Sequence, residues 1–129
     1  MPSSFLSKRL VLAIQRDQIE TFGGRHGIRD EALLDSALEQ PRATFGGKLL
    51  HATVPEQATA YLFHLVNNHA FIDGNKRIAF AATDVFLRIN GVQLELSDAE
   101  VYDLVLGAAT GGLDKTAITR IVQSSTVPM

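Results

Sequence analysis

Residues 75–90 constrain this chain more than any other stretch. Ile78, Ala79, Phe80, Ala82, Val85, Phe86, Leu87 and Ile89 cover nearly the whole helical wheel, leaving Arg77, Ala81, Asp84 and Arg88 as a narrow non-core stripe. A helix apolar almost all round has to be enclosed by neighbours. This one is therefore expected at the centre of a helical bundle, with Gly91 as its stop. With 129 residues, the length prior gives one domain over 1–129, enough to bury a core without cross-links.

The enclosing helices announce themselves through their caps. Ser7 is an N-cap for a helix to about Phe22, ended by Gly23-Gly24, and Asp30 opens a short helix carrying Leu33, Leu34, Ala37 and Leu38, stopped before Pro41. Thr53-Val54-Pro55-Glu56 reads as a capping box opening a helix to about Asn68, with Ala58, Tyr61, Leu62, Leu65 and Val66 on one arc. If that helix continued, His69 would join this arc, whereas His64 falls on the opposite, surface side. After Gly91 the segment Val92 to Leu96 reads as an extended connector. Ser97-Asp98-Ala99-Glu100 is a second capping box, for a helix ended by Gly107, and Asp114 caps a last helix before a tail expected to fray. Phe45-Gly46-Gly47-Lys48-Leu49-Leu50 is a turn flanked by apolar residues, which fits a small flap hairpin. The fold class is all-α, about six helices around a buried central one.

Twelve basic residues are interspersed with 14 acidic ones for a net charge of −2, which lacks the broad basic footprint of a direct nucleic-acid binder. The absence of cysteine removes disulfides, thiolate metal sites and a cysteine nucleophile together. No stretch has the length of a membrane span, and a cytoplasmic protein is the expectation. The glycines at 23–27 and 46–47 lack dinucleotide-loop spacing and a Walker Lys-Ser/Thr ending, and read as turns.

The chemistry concentrates in His69-Ala70-Phe71-Ile72-Asp73-Gly74-Asn75-Lys76-Arg77. Cations in the first turn of a helix are disfavoured by about 0.3–1 kcal/mol each, because the exposed N–H groups already carry partial positive charge. Lys76 and Arg77 together therefore point to an anion, and phosphate suits a helix start preceded by a glycine, Gly74. A carboxylate beside phosphates is where magnesium is held, which assigns Asp73 a metal role. His69 can take a proton from an incoming hydroxyl at neutral pH. Phe71 packs inward. A competing arrangement would hold a transition metal on His64, His69 and Asp73, although neither an H-E-x-x-H pattern nor a cysteine pair supports it.

The same nine residues resemble the signature H-x-F-x-[D/E]-G-N-G-R of the Fic/Doc superfamily, and within it the Doc (death-on-curing) branch, where lysine replaces the second glycine. Phe22-Gly23-Gly24, Gly27-Ile28-Arg29-Asp30, Leu33-Leu34-x-Ser36-Ala37-Leu38 and Asn90-Gly91 are similar to further landmarks of that branch, so the resemblance covers most of the chain. It implies a Fic fold and a type II toxin that phosphorylates a hydroxyl of a translation protein, elongation factor Tu, from ATP with Mg²⁺, held off by a Phd-type antitoxin. It further implies His69 as general base, Asp73 as metal ligand, Gly74 and Asn75 as the anion-hole turn, and Lys76 and Arg77 as phosphate contacts. Residues 45–50 take the place of a flap that holds the target segment.

Typical Fic enzymes instead transfer AMP, and two positions bear on the choice. The usual pattern has glycine where Lys76 stands and a second arginine where Phe80 stands. Both differences match the Doc pattern and favour phosphoryl over AMP transfer. A third reading, an inactive helical interaction module, has to contend with an intact His69, Asp73, Asn75 and Arg77.

Overall fold

The computed structural model describes residues 2–129. Five of its six helices start at the residues anticipated from their caps. Helix α1 (Lys8–Phe22) is capped by Ser7, α2 (Glu31–Glu39) by Asp30, α3 (Val54–Asn67) by Thr53, α5 (Asp98–Thr110) by Ser97 and α6 (Lys115–Ser125) by Asp114. In each the cap's side-chain oxygen accepts from a first-turn backbone N–H. The box at Ser97 is reciprocal, whereas at Thr53 it is the hydroxyl that reaches the Glu56 carboxylate, at 2.8 Å.

The remaining helix, α4 (Asn75–Ile89), and α3 pack together as the heart of the molecule. The enclosed helix is α3, not α4 as the apolar wheel implies. Eight of the 14 residues of α3 are buried, Gln57 and Thr59 among them, and it touches α2, α4, α5 and α6. In α4 six of 15 are buried, and Phe80, Ala81 and Val85 are only partly covered. Tyr61, Leu62 and Leu65 from α3 meet Ile78, Phe86 and Leu87 from α4 in one core, completed by Leu34, Leu104 and Ile118.

Three further expectations are corrected. Gly107 does not end α5, which runs on to Thr110 and stops at Gly111 in the left-handed conformation. A Cβ at Gly107 would lie 2.5 Å from Leu113 Cδ1, so glycine is there to let Leu113 pack against the helix. The chain end does not fray, because the connector after α4 and the tail are two short strands, β3 (Val92–Leu94) and β4 (Thr126–Pro128), paired antiparallel. His64 is not a surface residue: it is partly buried, with its ring Nε2 2.8 Å from Lys115 Nζ and its plane nearly perpendicular to the Phe63 ring. Burial, followed by the Lys115 charge, pushes the His64 pKa down to about 4.

The flap is present as a hairpin, β1 (Thr44–Phe45) paired with β2 (Lys48–Leu49) across Gly46 and Gly47, both with positive φ. Gln57 Nε2 donates to His51 O at 2.9 Å and ties its base to the start of α3. No helix among the described residues is long and apolar enough to cross a membrane.

Candidate active site

The site is built where α3 stops and α4 begins. Helix α3 ends at Asn67, and the chain turns sharply at His69, the one non-glycine residue with positive φ (49°) among the described residues. That conformation costs on the order of 1–3 kcal/mol and persists only where the surroundings impose it. It also takes His69 off the apolar arc of α3 on which a continued helix would have placed it, and leaves it exposed. Ala70 and Phe71 then dive into the core, each 1% exposed, which pins the motif from below.

From the side, the pin is the connector between α1 and α2. Residues 23–30 contain three glycines of positive φ, at 23, 24 and 27, and lie across the motif. Arg29 and Asp30 donate their N–H groups to Ala70 O at 2.7 and 3.0 Å, Ile28 bridges Phe71, and Ile72 N donates to Gly27 O at 3.0 Å. Further along, Arg25 N donates to Asp73 Oδ2 at 3.2 Å, and Arg77 Nη2 donates to Gly23 O at 2.9 Å. A turn was anticipated here, but its contact with the motif was not.

Asp73 is exposed, with Oδ1 accepting from Gly74 N at 2.9 Å. Gly74 has φ 73° and is the one N-cap of the six α-helices that offers no side-chain oxygen. The first N–H groups of α4 therefore have no capping partner. Lys76 is exposed, and neither it nor Arg77 forms an ion pair among the described residues. His69, Asp73, Gly74, Asn75, Lys76 and Arg77 thus line one open cavity of about 340 Å³, with Ile72. Free N–H groups, two cations and a lone carboxylate around one space favour a polyanion accompanied by a hard cation.

A single exposed carboxylate, with lone pairs left beyond its two N–H bonds, fits Mg²⁺, which takes one or two protein carboxylates plus phosphate and water oxygens. It does not fit a transition metal. No group of three or more His, Asp or Glu side chains that could hold a metal occurs among the described residues, and His64 is engaged with Lys115. The competing metal arrangement is thereby set aside.

Behind the cations lies a feature that the sequence reading did not identify. An apolar groove of about 700 Å³ runs between α1, α4 and α5, lined by Phe22, Phe80, Tyr102, Val105 and Leu106, with Lys76 and Arg77 at its edge. Phe22 and Tyr102 are 65% and 66% exposed. Lys76 and Arg77 face both the groove and the motif cavity.

An all-helical bundle presenting this motif between two core helices has a known family. Residues 5–87 match the model of the Fic/DOC family, and the chain belongs to that family. It is 44% identical over 100 residues to "Toxin Doc" of Mycolicibacterium smegmatis (strain ATCC 700084 / mc(2)155), covering 75% of this chain and 76% of the relative. It is 30% identical over 113 residues to "Protein kinase doc" of Escherichia phage P1, covering 88% of each.

Proposed function

We propose that this protein is the toxin of a type II toxin–antitoxin system and transfers the γ-phosphoryl group of ATP to a hydroxyl of a translation protein, elongation factor Tu. The observation that carries the reading is the uncapped start of α4. In five α-helices a cap side-chain oxygen accepts from one first-turn N–H, and the sixth opens on Gly74 with Lys76 and Arg77 in its first turn. The names of the two relatives, a toxin and a protein kinase, support it.

In this reading the backbone N–H groups at 75–77, with Lys76 and Arg77, cradle the phosphates. Asp73 would hold Mg²⁺, which neutralises phosphate charge when bound. His69 takes the proton of the target hydroxyl as its oxygen bonds to the γ-phosphorus, and the bond from that phosphorus to the bridging oxygen breaks to release ADP. Asn75 keeps the motif loop in shape. The flap at residues 45–50 presents Phe45, Leu49 and Leu50 to solvent and would receive the target segment as an added strand. A Phd-like antitoxin would sit in the apolar groove, where it reaches Lys76 and Arg77 and so covers the phosphate cradle while burying Phe22 and Tyr102.

AMP transfer is the second reading, and Phe80 weighs against it. The position where AMP-transferring relatives of the fold carry a second arginine faces the apolar groove here. Incubation with purified elongation factor Tu and Mg-ATP, followed by intact-mass measurement, decides. One phosphoryl increment is expected, an AMP increment overturns the kinase reading, and no increment removes this target.

A further inference from the structure

Residues 68–71 present four successive carbonyls just beyond the last turn of α3, where no helical N–H follows to receive them. Their partners come from elsewhere. Phe71 O accepts from Asn75 Nδ2, and Ala70 O from the backbone N–H groups of Arg29 and Asp30. The two carbonyls on either side of His69 accept from one side chain. Arg29 Nε donates to His69 O at 2.6 Å, and Arg29 Nη2 donates to Asn68 O at 3.3 Å.

Those two bonds fall on the two peptide planes that flank the His69 Cα. Fixing the plane before it limits φ, and fixing the plane after it limits ψ, so the pair together sets the direction in which the imidazole leaves the backbone. His69 is also where the backbone is least able to hold its own shape, being left-handed without being glycine. A cation near the C-terminus of a helix is favoured by the dipole alone. A planar fork that reaches two consecutive carbonyls does more than supply charge, because its donors have a fixed mutual geometry that an ammonium lacks.

We infer that Arg29 is the positioning residue for His69, holding the histidine in its left-handed conformation so that its imidazole faces the phosphate cradle. The inference rests on His69 being the base of the proposed transfer. It adds that the base is aimed from the α1–α2 connector, 40 residues away in the chain, and not by the motif alone.

The test pairs Arg29→Met, which keeps an apolar stem and removes both donors, with Arg29→Lys, which keeps charge and one donor site. Histidine-selective isotope labelling gives the His69 three-bond HN–Hα coupling and ¹³Cα shift, which report backbone conformation without any substrate. Left-handed values are expected for the wild type, averaged values for Arg29→Met, and intermediate ones for Arg29→Lys. In the transfer assay kcat should fall about 10- to 100-fold in Arg29→Met with the nucleotide KM within about twofold, and Arg29→Lys should recover part of the loss. Unchanged left-handed values in Arg29→Met overturn the inference, as does a lost signature with unchanged kcat. If Arg29→Met does not fold, Arg29→Lys decides on the same two readouts, wild-type values in both overturning it. If the wild type transfers nothing to its target, the proposed function fails while the His69 signature still answers whether Arg29 holds the backbone.

Discussion

Asn75 and Phe71 exchange two hydrogen bonds: Phe71 N donates to Asn75 Oδ1 and Asn75 Nδ2 donates to Phe71 O, both at 3.0 Å. The side-chain amide thereby does for Phe71 what a neighbouring strand would do, and closes the motif loop on itself. Phe71 is 1% exposed, so removing the amide strands two buried backbone groups at about 1–3 kcal/mol each. Asn75→Ala should lower stability in urea unfolding by about 2–5 kcal/mol and abolish transfer. Asn75→Asp, which retains the acceptor and loses the donor, should fall between.

Gly24 offers a comparison with its neighbour. Both Gly23 and Gly24 have positive φ, but a Cβ at Gly23 would meet nothing within 4 Å, whereas at Gly24 it would lie 2.9 Å from Asp73 Oδ2. Gly23→Ala should therefore show backbone strain alone, about 1–2 kcal/mol. Gly24→Ala should add a displaced Asp73, seen as a raised magnesium requirement in a metal titration of the transfer rate. Equal magnesium curves for the two variants would refute the coupling of the connector to Asp73.

His64 makes stability depend on pH in a defined direction. Its folded pKa of about 4 lies below the ordinary 6.5, so between those values the unfolded chain binds the proton and the native protein does not. Stability is complete above about pH 6.5, declines as pH falls toward about 4, and levels off below. His64 is only partly buried, so the amplitude is set at about 1–3 kcal/mol. His64→Gln should flatten the difference between urea unfolding at pH 7 and pH 4.5 by that amount, while Lys115→Met should restore only part, because burial is the larger cause.

The apolar groove separates inhibition from transfer. Tyr102 and Leu106 line it on α5 without lining the motif cavity. Tyr102→Glu with Leu106→Glu should weaken antitoxin binding at least tenfold by calorimetry and leave the transfer rate of the free toxin within about twofold. Growth rescue by co-expressed antitoxin should fail in that double variant. Retention of wild-type antitoxin affinity would place the antitoxin elsewhere.

What could be read from the chain was what is local in it. Ser7, Asp30, Thr53, Ser97 and Asp114 bond within three residues of themselves, and five helix starts follow from that alone. The motif is equally local, nine residues holding the whole lining of the cavity. Arg29, Gly24 and Gly23 could not be read this way, because they act on partners 39–54 residues away. Gly107 looked like a helix stop because a glycine that ends a helix and one that admits a packed leucine are the same letter. The apolar wheel points to α4 in place of α3 for a related reason: the buried Gln57 and Thr59 of α3 count as polar on a wheel, yet Thr59 satisfies its hydroxyl on Pro55 O and stays inside.

The far end of α4 has a practical consequence. Asn90 exchanges two hydrogen bonds with Ser4, and Met129 N donates to Gly91 O, so residues near both ends of the chain converge on one turn. Fifteen helical residues separate that turn from Asn75, about 22 Å at 1.5 Å per residue. A fluorophore attached at position 4 or 129 would therefore stand well clear of the phosphate cradle.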